Sequence, residues 1–300
     1  MDYLTITEQD SVAVLMLNQL GEKVNKLDEQ LIAEVEEFLD DFETNDDWIG
    51  AVLISGKEDT FIAGADIEML SSKEIPEEIT ELSKTGHDLL RRIENSSKPI
   101  VAAVHGPGMG GGLEVIMACH YRVASHHSKT KMGLPEVKLG LCPGAGGTQR
   151  LPRIIGLQKS LTYILTGKDI YARKAKKIGL VDELTHRGAL LDAGIKAVQK
   201  MHKKGIKSPK DRRSLPEKML EGNPIGRSII FSQARKRTKG KTKGNYPAPL
   251  RIIDCMEEGY KNGMEAGLEL EAKMFGELAF TPESQNLVKL FFGMQKAKNN

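Results

Sequence analysis

The apolar positions in the first 190 residues of this chain follow two alternating periods. Short apolar runs bounded by turn residues predict strands, and stretches with an apolar residue every three or four positions predict helices. The predicted strands are Tyr3–Thr7, Val12–Leu17, WIGAVLISG (48–56), PIVAAVHG (99–106), Tyr121–Ser125 and Val181–Leu184. This alternation is typical of an α/β domain built in layers, which we expect to extend to about residue 190.

Two helices are predicted between these strands. The first has apolar residues from Leu27 to Phe42, and Asn25 with Asp28 provides an N-cap signal before it. The second covers approximately Glu78 to Asn95. From residue 188 onward the pattern becomes mostly helical, interrupted by the polar stretches KKGIKSPKDRRS (203–214) and GKTKGNYPAP (240–249). Residues 191–300 are therefore predicted to form a helical appendage with loops.

Composition and charge favour a globular protein without a polyanionic partner. The 300 residues are 40% hydrophobic and 28% charged, with a formal net charge of +2. The densest basic cluster, between Lys236 and Lys243, has no aromatic residues among its cations. We therefore interpret it as a solvated helix end and expect no nucleic-acid partner.

Targeting and redox signals indicate a reducing compartment. The first residues lack the pattern of a secretory signal, and no apolar run approaches the ~20 residues that cross a bilayer. Cys119, Cys142 and Cys255 are far apart and lack metal-ligand spacing, so free thiols and no metal are expected. These signals predict a cytoplasmic protein, with the mitochondrial matrix as the alternative if a transit peptide has been removed.

A glycine-rich segment, AAVHGPGMGGGLEVIMACH (102–120), has two interpretations. Gly106, Gly108 and Gly111 have the G-x-G-x-x-G spacing of a dinucleotide-binding turn. Such a turn needs an acidic residue about 20 positions later to bind the ribose. The next strand, YRVAS, instead leads to His126 and His127 without a carboxylate. The sequence therefore predicts no NAD site at these glycines.

The alternative is that small residues expose backbone N–H groups to a reacting carbonyl. The segment FIAGADIEML (61–70) places Ala63, Gly64 and Ala65 between a predicted strand and a helix. Gly111 lies at a second turn of the same kind. Small residues at two such turns allow two N–H groups to converge on one oxygen.

Two glutamates supply candidate proton chemistry near these turns. Glu114 follows Gly111 by three residues, so the two share one helix face. Glu136 comes 22 residues after Glu114 (136 − 114), far enough to return to the same cleft. Two carboxylates and two amide donors around one carbonyl suit proton transfer beside a thioester or an ester. Spacing alone leaves open that Glu114 is a helix first-turn charge and Glu136 a surface-loop charge.

Four ordered motifs resemble the crotonase (enoyl-CoA hydratase/isomerase) superfamily. They are FIAGADI, HGPGMGGGLE, GLPEVKLGLCPGAGGTQRLPR and ARKAKKIGLVDEL. The segments KTKGNYPAPLRIIDCMEEGYKNG and FGELAFTPESQNLVKLFF resemble the region between the hydratase and dehydrogenase parts of multifunctional fatty-acid oxidation α-subunits. The resemblance covers residues 1 to about 190 for the superfamily and extends further for the α-subunits.

The resemblance implies a fold, a reaction and a site. The fold is a superhelix of ββα repeats with helices attached, and the reaction is the hydration of a trans-2-enoyl-CoA in fatty-acid β-oxidation. The thioester oxygen would accept hydrogen bonds from the N–H groups of Ala65 and Gly111. Water would bind between Glu114, its base, and Glu136, which would protonate the α-carbon. Δ3,Δ2-enoyl-CoA isomerisation and a silent RNA-binding or scaffold role remain the alternatives.

The resemblance also implies cofactors and partners. Coenzyme A enters with the substrate, and NAD would belong to a dehydrogenase domain, for which we see no second glycine-turn unit after residue 190. The expected assembly is a homo-oligomer or a complex subunit. A thiolase β-subunit is the expected partner if the chain is part of a full-length α-subunit.

Overall fold

The computed structural model describes residues 1–207 and 211–299, and their contacts group them into two compact units. Unit 1 comprises Met1–Asp66, Asp88–Gly133 and Asp169–Arg212. Unit 2 comprises Ile67–His87, Leu134–Lys168 and Arg213–Asn300. Part of the predicted basic stretch, residues 208–210, lies outside the described residues. The division into domains 1–190 and 191–300 remains a prediction.

Unit 1 contains the strands, which form two sheets in the described part of the chain. The strands are β1 (Leu4–Gln9), β2 (Val12–Leu17), β3 (Gly50–Ser55), β4 (Ile100–Val104), β5 (Pro107–Met109), β6 (Tyr121–Ser125), β7 (Lys131–Gly133), β8 (Ile170–Tyr171) and β9 (Glu183–Thr185). A six-stranded sheet has the order β1-β2-β3-β4-β6-β9, and a three-stranded sheet has the order β5-β7-β8. In the larger sheet, β1 and β2 are antiparallel and the other neighbours are parallel.

The helices of unit 1 follow these strands in the chain. They are α1 (Glu29–Thr44), α4 (Gly111–Ala118), α7 (Ala172–Ile178), α8 (Leu190–Lys204) and the later part of α3 (Pro76–Asn95). The order β4-β5-α4 is one ββα repeat, with its first strand in the larger sheet and its second in the smaller one. The glycine-rich turn therefore connects a strand of each sheet to the first residue of α4.

The core of unit 1 lies between α8 and one face of the larger sheet. The two sides consist of aliphatic residues with at most 9% exposure, and this exclusion of apolar surface from water stabilises the unit. The contacting side chains are Val12, Val52, Val101, Ala103 and Val123 from the strands, and Leu190, Ile195, Ala197, Val198 and Met201 from α8. The sheet is thereby a rigid base for the turns at its strand ends.

Unit 2 is helical in its described residues. Its helices are α2 (Ile67–Ser71), the earlier part of α3, α5 (Gly147–Ile155), α6 (Leu157–Ile164), α9 (Leu215–Glu221), α10 (Pro224–Thr242), α11 (Ala248–Lys261), α12 (Met264–Ala279) and α13 (Pro282–Asn299). A short 3-10 helix covers Glu136–Leu139. Helices α11 and α12 pack against each other and against α5. No helix among the described residues is long and apolar enough to cross a membrane.

Most predicted elements are present, with two differences. The predicted first helix begins at Glu29 and is capped by Asp28, whose carboxylate accepts from the Leu31 N–H, so Asn25 and Leu27 lie outside it. The three strands of the smaller sheet were not predicted. They have only two or three residues each, too few to show a period of two.

Candidate active site

The glycine-rich turn packs tightly against the segment that follows β3. Gly106 has φ +76°, and a Cβ there would lie 2.2 Å from the Asp59 carbonyl oxygen. A Cβ on Gly112 would lie 2.5 Å from the Ile62 carbonyl oxygen. Both positions need glycine because another backbone passes within contact distance. Packing therefore accounts for glycines in this motif without a nucleotide.

The FIAGADI segment is held on both sides by backbone hydrogen bonds. The Leu27 N–H donates to the Gly64 carbonyl at 2.9 Å, and the Asp66 N–H donates to the Leu27 carbonyl at 2.9 Å. On the other side, the Met109 N–H donates to the Ile62 carbonyl at 3.0 Å. Because peptide directions alternate in an extended segment, the Ala65 N–H points away from Leu27.

The two proposed amide donors lie close together in unit 1. Gly111 is the first residue of α4, where an N–H has no intrahelical acceptor. A Cβ added to Gly111 would lie 3.8 Å from the Ala65 backbone nitrogen and 2.6 Å from Leu27 Cδ1. A peptide N–H at a helix N-terminus and a second N–H on the segment packed beside it can both donate to one oxygen that gains negative charge.

Asn25 anchors the loop that carries Ala65. It is fully buried, and its side-chain amide donates to the carbonyls of Leu17 at 3.2 Å and Phe61 at 3.0 Å and to Ser55 Oγ at 3.0 Å. Its amide oxygen accepts from the Gln19 N–H at 3.2 Å. The predicted helix cap is thus instead a link between β2, β3 and the FIAGADI segment.

We expect Asn25→Ala to lower the free energy of unfolding by about 2–3 kcal/mol, because it leaves buried carbonyls without a donor. Urea unfolding measures this change, and the same substitution at the exposed Asn245 is the control. A loss for Asn25→Ala no larger than that of the control would contradict the anchoring role.

Glu114 lies one turn after Gly111 in α4 and is 2% exposed. A buried carboxylate is rare without a specific reason, since removing its charge from water costs free energy. Ala63, Gly64, Ala65, Gly111 and Glu114 therefore all belong to unit 1, within or beside the two turns. Glu114 does lie in the first turn of α4, as the alternative interpretation has it, and its side chain is buried.

Glu136 belongs to unit 2, where it is the first residue of the 3-10 helix. The Leu141 N–H donates to its backbone carbonyl at 3.0 Å, and the Tyr246 hydroxyl donates to the next carbonyl, that of Val137. Its Oε2 is buried and has no hydrogen-bond partner among the described residues. Burial raises the pKa of Glu136 to about 8. A hydrogen bond from the backbone N–H of Glu136 itself lowers this pKa, and the negative charge of Glu271 raises it.

The turn after Glu136 is capped by a residue that the sequence did not single out. Thr148 to Arg150 lie inside α5, which begins at Gly147. The cap is Glu271 of α12, whose carboxylate accepts from the N–H groups of Gly146 and Thr148. A signal was present, because Glu271 occupies the apolar face of its helix with Leu268 and Phe275.

Two of the cavities formed by the described residues lie within unit 1. One of about 610 Å³ lies along α8 and β9, and none of the predicted site residues lines it. The other, of about 50 Å³, is lined by apolar residues including Leu27 and Ile62, which contact the glycine-rich turn. Among the described residues, no group of three His, Cys, Asp or Glu side chains is placed to bind a metal ion.

Residues 7–222 match the family described as Enoyl-CoA hydratase/isomerase. Two solved structures share the crotonase fold of this chain: an enoyl-CoA hydratase/isomerase from Pseudoalteromonas atlantica and another from Mycobacterium paratuberculosis. The first has 23% identity and a TM-score of 0.67, with 97% of each chain covered. The second has 17% identity and a TM-score of 0.69, covering 96% of this chain and 98% of that one.

The chain belongs to the enoyl-CoA hydratase/isomerase family. It is also similar to the fatty acid oxidation complex subunit alpha of Shewanella amazonensis, with 47% identity over 291 residues. That match covers 96% of this chain and 40% of the relative, so the chain spans less than half the length of the curated relative.

Proposed function

We propose that this chain catalyses the hydration of trans-2-enoyl-CoA to 3-hydroxyacyl-CoA in fatty-acid oxidation. The observation that carries this proposal is the approach of Gly111 to the Ala65 nitrogen, one helical turn from the buried Glu114. Two N–H groups there would stabilise the thioester enolate. Each donor in such a site is worth about 3–4 kcal/mol of transition-state stabilisation.

The two glutamates have different roles in this proposal. Glu136, with its pKa raised by burial to about 8, is protonated at neutral pH and donates the proton to the α-carbon. Glu114 removes a proton from the attacking water. The reaction adds the hydroxyl at C3 and the proton at C2, so it needs no redox cofactor and no metal.

The rest of the substrate is accommodated by features that the fold already supplies. The small apolar cavity beside Leu27 and Ile62 is adjacent to the turn that would hold the thioester. We propose that the acyl chain begins there, while Ala63 and Gly64 line the approach to the carbonyl. Coenzyme A is part of the substrate, and NAD is not expected to bind these residues.

A second candidate reaction is the isomerisation of a 3-enoyl-CoA to the 2-enoyl isomer. The description of the matching family, hydratase/isomerase, favours it. The reaction moves one proton from C2 to C4 and needs only one carboxylate with the same two amide donors. Both activities can therefore belong to one site: the acid form of Glu136 protonates carbon in hydration, and its ionised form takes the proton from C2 and returns it to C4 in isomerisation.

The relatives also suggest an assembly and a cellular location for this chain. The Shewanella protein is named as a subunit of a fatty acid oxidation complex. We propose that this chain acts in such a complex, with a thiolase β-subunit as partner, and in the cytoplasm, as its bacterial relatives suggest. The mitochondrial alternative has no support among these relatives.

Purified protein with crotonyl-CoA tests the proposed function, because hydration removes the absorbance of the conjugated enoyl thioester. We expect kcat/KM to fall as pH rises through about 8, since the proton donor Glu136 then loses its proton. The measurement is kcat/KM between about pH 6 and about pH 10. No hydration at any pH would overturn the function, and a rate independent of pH across that range would overturn the role of Glu136.

A further inference from the structure

A fully buried carboxylate in unit 2 holds the glycine-rich turn between Cys142 and Thr148. Glu271 accepts from the Gly146 N–H at 2.5 Å and from the Thr148 N–H at 2.9 Å. The Thr148 hydroxyl is a further donor, and His87 Nε2 of α3 lies 3.0 Å from Glu271 Oε1. A carboxylate can accept about four hydrogen bonds, so a proton on His87 Nε2 completes the set.

This turn is the direct continuation of the segment that carries Glu136. Cys142 Sγ is 3.8 Å from the Glu271 carbonyl oxygen, and the Ser83 hydroxyl donates to the Gly144 carbonyl. The chain after Glu136 is therefore attached at successive positions to α12 and α3. A displacement of this turn would move the 3-10 helix, because the Leu141 N–H links the two segments through the Glu136 carbonyl.

A charge at Glu271 is a costly way to cap a helix in the protein interior. A neutral side chain can accept from backbone N–H groups without the free energy that desolvation of a carboxylate costs. The charge has a second effect, because it repels a negative charge on Glu136 and thus supports burial in raising the pKa of Glu136. Both effects act on the one carboxyl group that the proposed reaction needs in its protonated form.

We propose that Glu271 and His87 are a positioning pair for Glu136, holding the segment that carries it and favouring its neutral carboxyl form. This inference rests on the proposed function, in which Glu136 delivers a proton to carbon. Neither member of the pair is assigned contact with substrate. Besides His87 and Glu136, Cys142 and Cys255 are titratable side chains near Glu271, and burial raises the pKa of the Cys255 thiol well above its usual value.

The first test is the pH profile of hydration by Glu271→Gln. Glutamine keeps the shape of the side chain and removes its charge, so Glu136 should lose its proton more easily. The fall of kcat/KM at high pH, the alkaline limb of the profile, should therefore move to lower pH by roughly one unit. The matched control is Glu34→Gln. Glu34 is also buried and accepts from the N–H groups of Asp2, Tyr3 and Leu4, but it has no place in the proposed reaction. The control should lose stability without moving the limb. An unmoved limb in folded, active Glu271→Gln overturns the inference.

A second pair of variants keeps the test decisive if Glu271→Gln does not fold. His87→Ala removes the donor to Glu271, whereas His87→Gln retains a donor at nearly the same place. We expect His87→Ala to lower kcat about tenfold with KM changed less than about twofold, and His87→Gln to recover most of that loss. Equal kcat values for the alanine variant and the unaltered protein, or no recovery with glutamine, would contradict the pair.

Direct titration of Glu136 separates this inference from the proposed function. Carboxyl carbons of isotopically labelled glutamate can be followed by NMR, with Glu136→Gln identifying the resonance and His87→Ala as the perturbed variant. A lower titration midpoint for Glu136 in His87→Ala or Glu271→Gln supports the inference even if crotonyl-CoA is not hydrated. An unchanged midpoint overturns it even if hydration is observed, so the two failures are distinguishable.

Discussion

Glu136→Gln is expected to lower both hydration of crotonyl-CoA and isomerisation of a 3-enoyl-CoA by about 10²-fold or more. Glutamine has nearly the same shape but cannot deliver a proton to carbon, and both reactions need that delivery. Glu114→Gln is expected to lower hydration by a similar factor, because water then has no base. It should retain a larger fraction of isomerase activity, since isomerisation uses no water.

The measurement is both activities on both variants, with folding checked by circular dichroism. The unaltered protein provides the reference ratio of the two activities. Equal losses in all four combinations, or isomerase activity that survives only in Glu136→Gln, would reverse or remove the assigned roles. Hydration that survives in either variant would show that the site is elsewhere.

Gly111→Pro is expected to abolish hydration while much of the fold is retained. Proline has no N–H, and the first position of a helix is the one where it is best tolerated. Loss of one amide donor to a developing oxyanion lowers kcat by about 10²–10³-fold. The added ring also meets Leu27 Cδ1, which lies 2.6 Å from the Cβ position, so a steric contribution must be separated.

Gly111→Ala provides that separation. Alanine introduces the same Cβ near Leu27 but keeps the N–H group, so its loss measures the steric effect alone. We expect the proline variant to be at least about tenfold less active than the alanine variant, with similar thermal unfolding. Equal activity of the two folded variants would show that the Gly111 N–H does not hold the oxyanion.

Several elements could be predicted from the sequence because their own residues determine them. Val12–Leu17 and Tyr121–Ser125 have the predicted bounds as β2 and β6. The first is an apolar run that follows polar turn residues. For the residues after 188, the sequence predicted a mostly helical region without the bounds of single helices. Family membership also followed from the sequence, because the motifs occur in a fixed order along one chain.

The glycine-rich motif shows where local pattern stops being sufficient. Its spacing fitted two kinds of turn, because glycine is required wherever another backbone comes close, whatever the reason for the approach. Only the structure identifies the neighbours: the carbonyls of Asp59 and Ile62, and the nitrogen of Ala65. The three-residue strands β5 and β7 likewise depend on pairing with each other rather than on their own composition.

The surroundings of Glu136 were decided by tertiary structure alone. Glu271 lies 125 residues after Gly146 and 184 residues after His87, and no local signal connects positions that far apart. The sequence by itself determined that Glu136 follows a stiffening proline and precedes a glycine-rich turn. Whether that carboxyl group is buried, and which charge faces it, depends on how α12 and α3 pack, because desolvation and Coulomb interactions act through space and not along the chain.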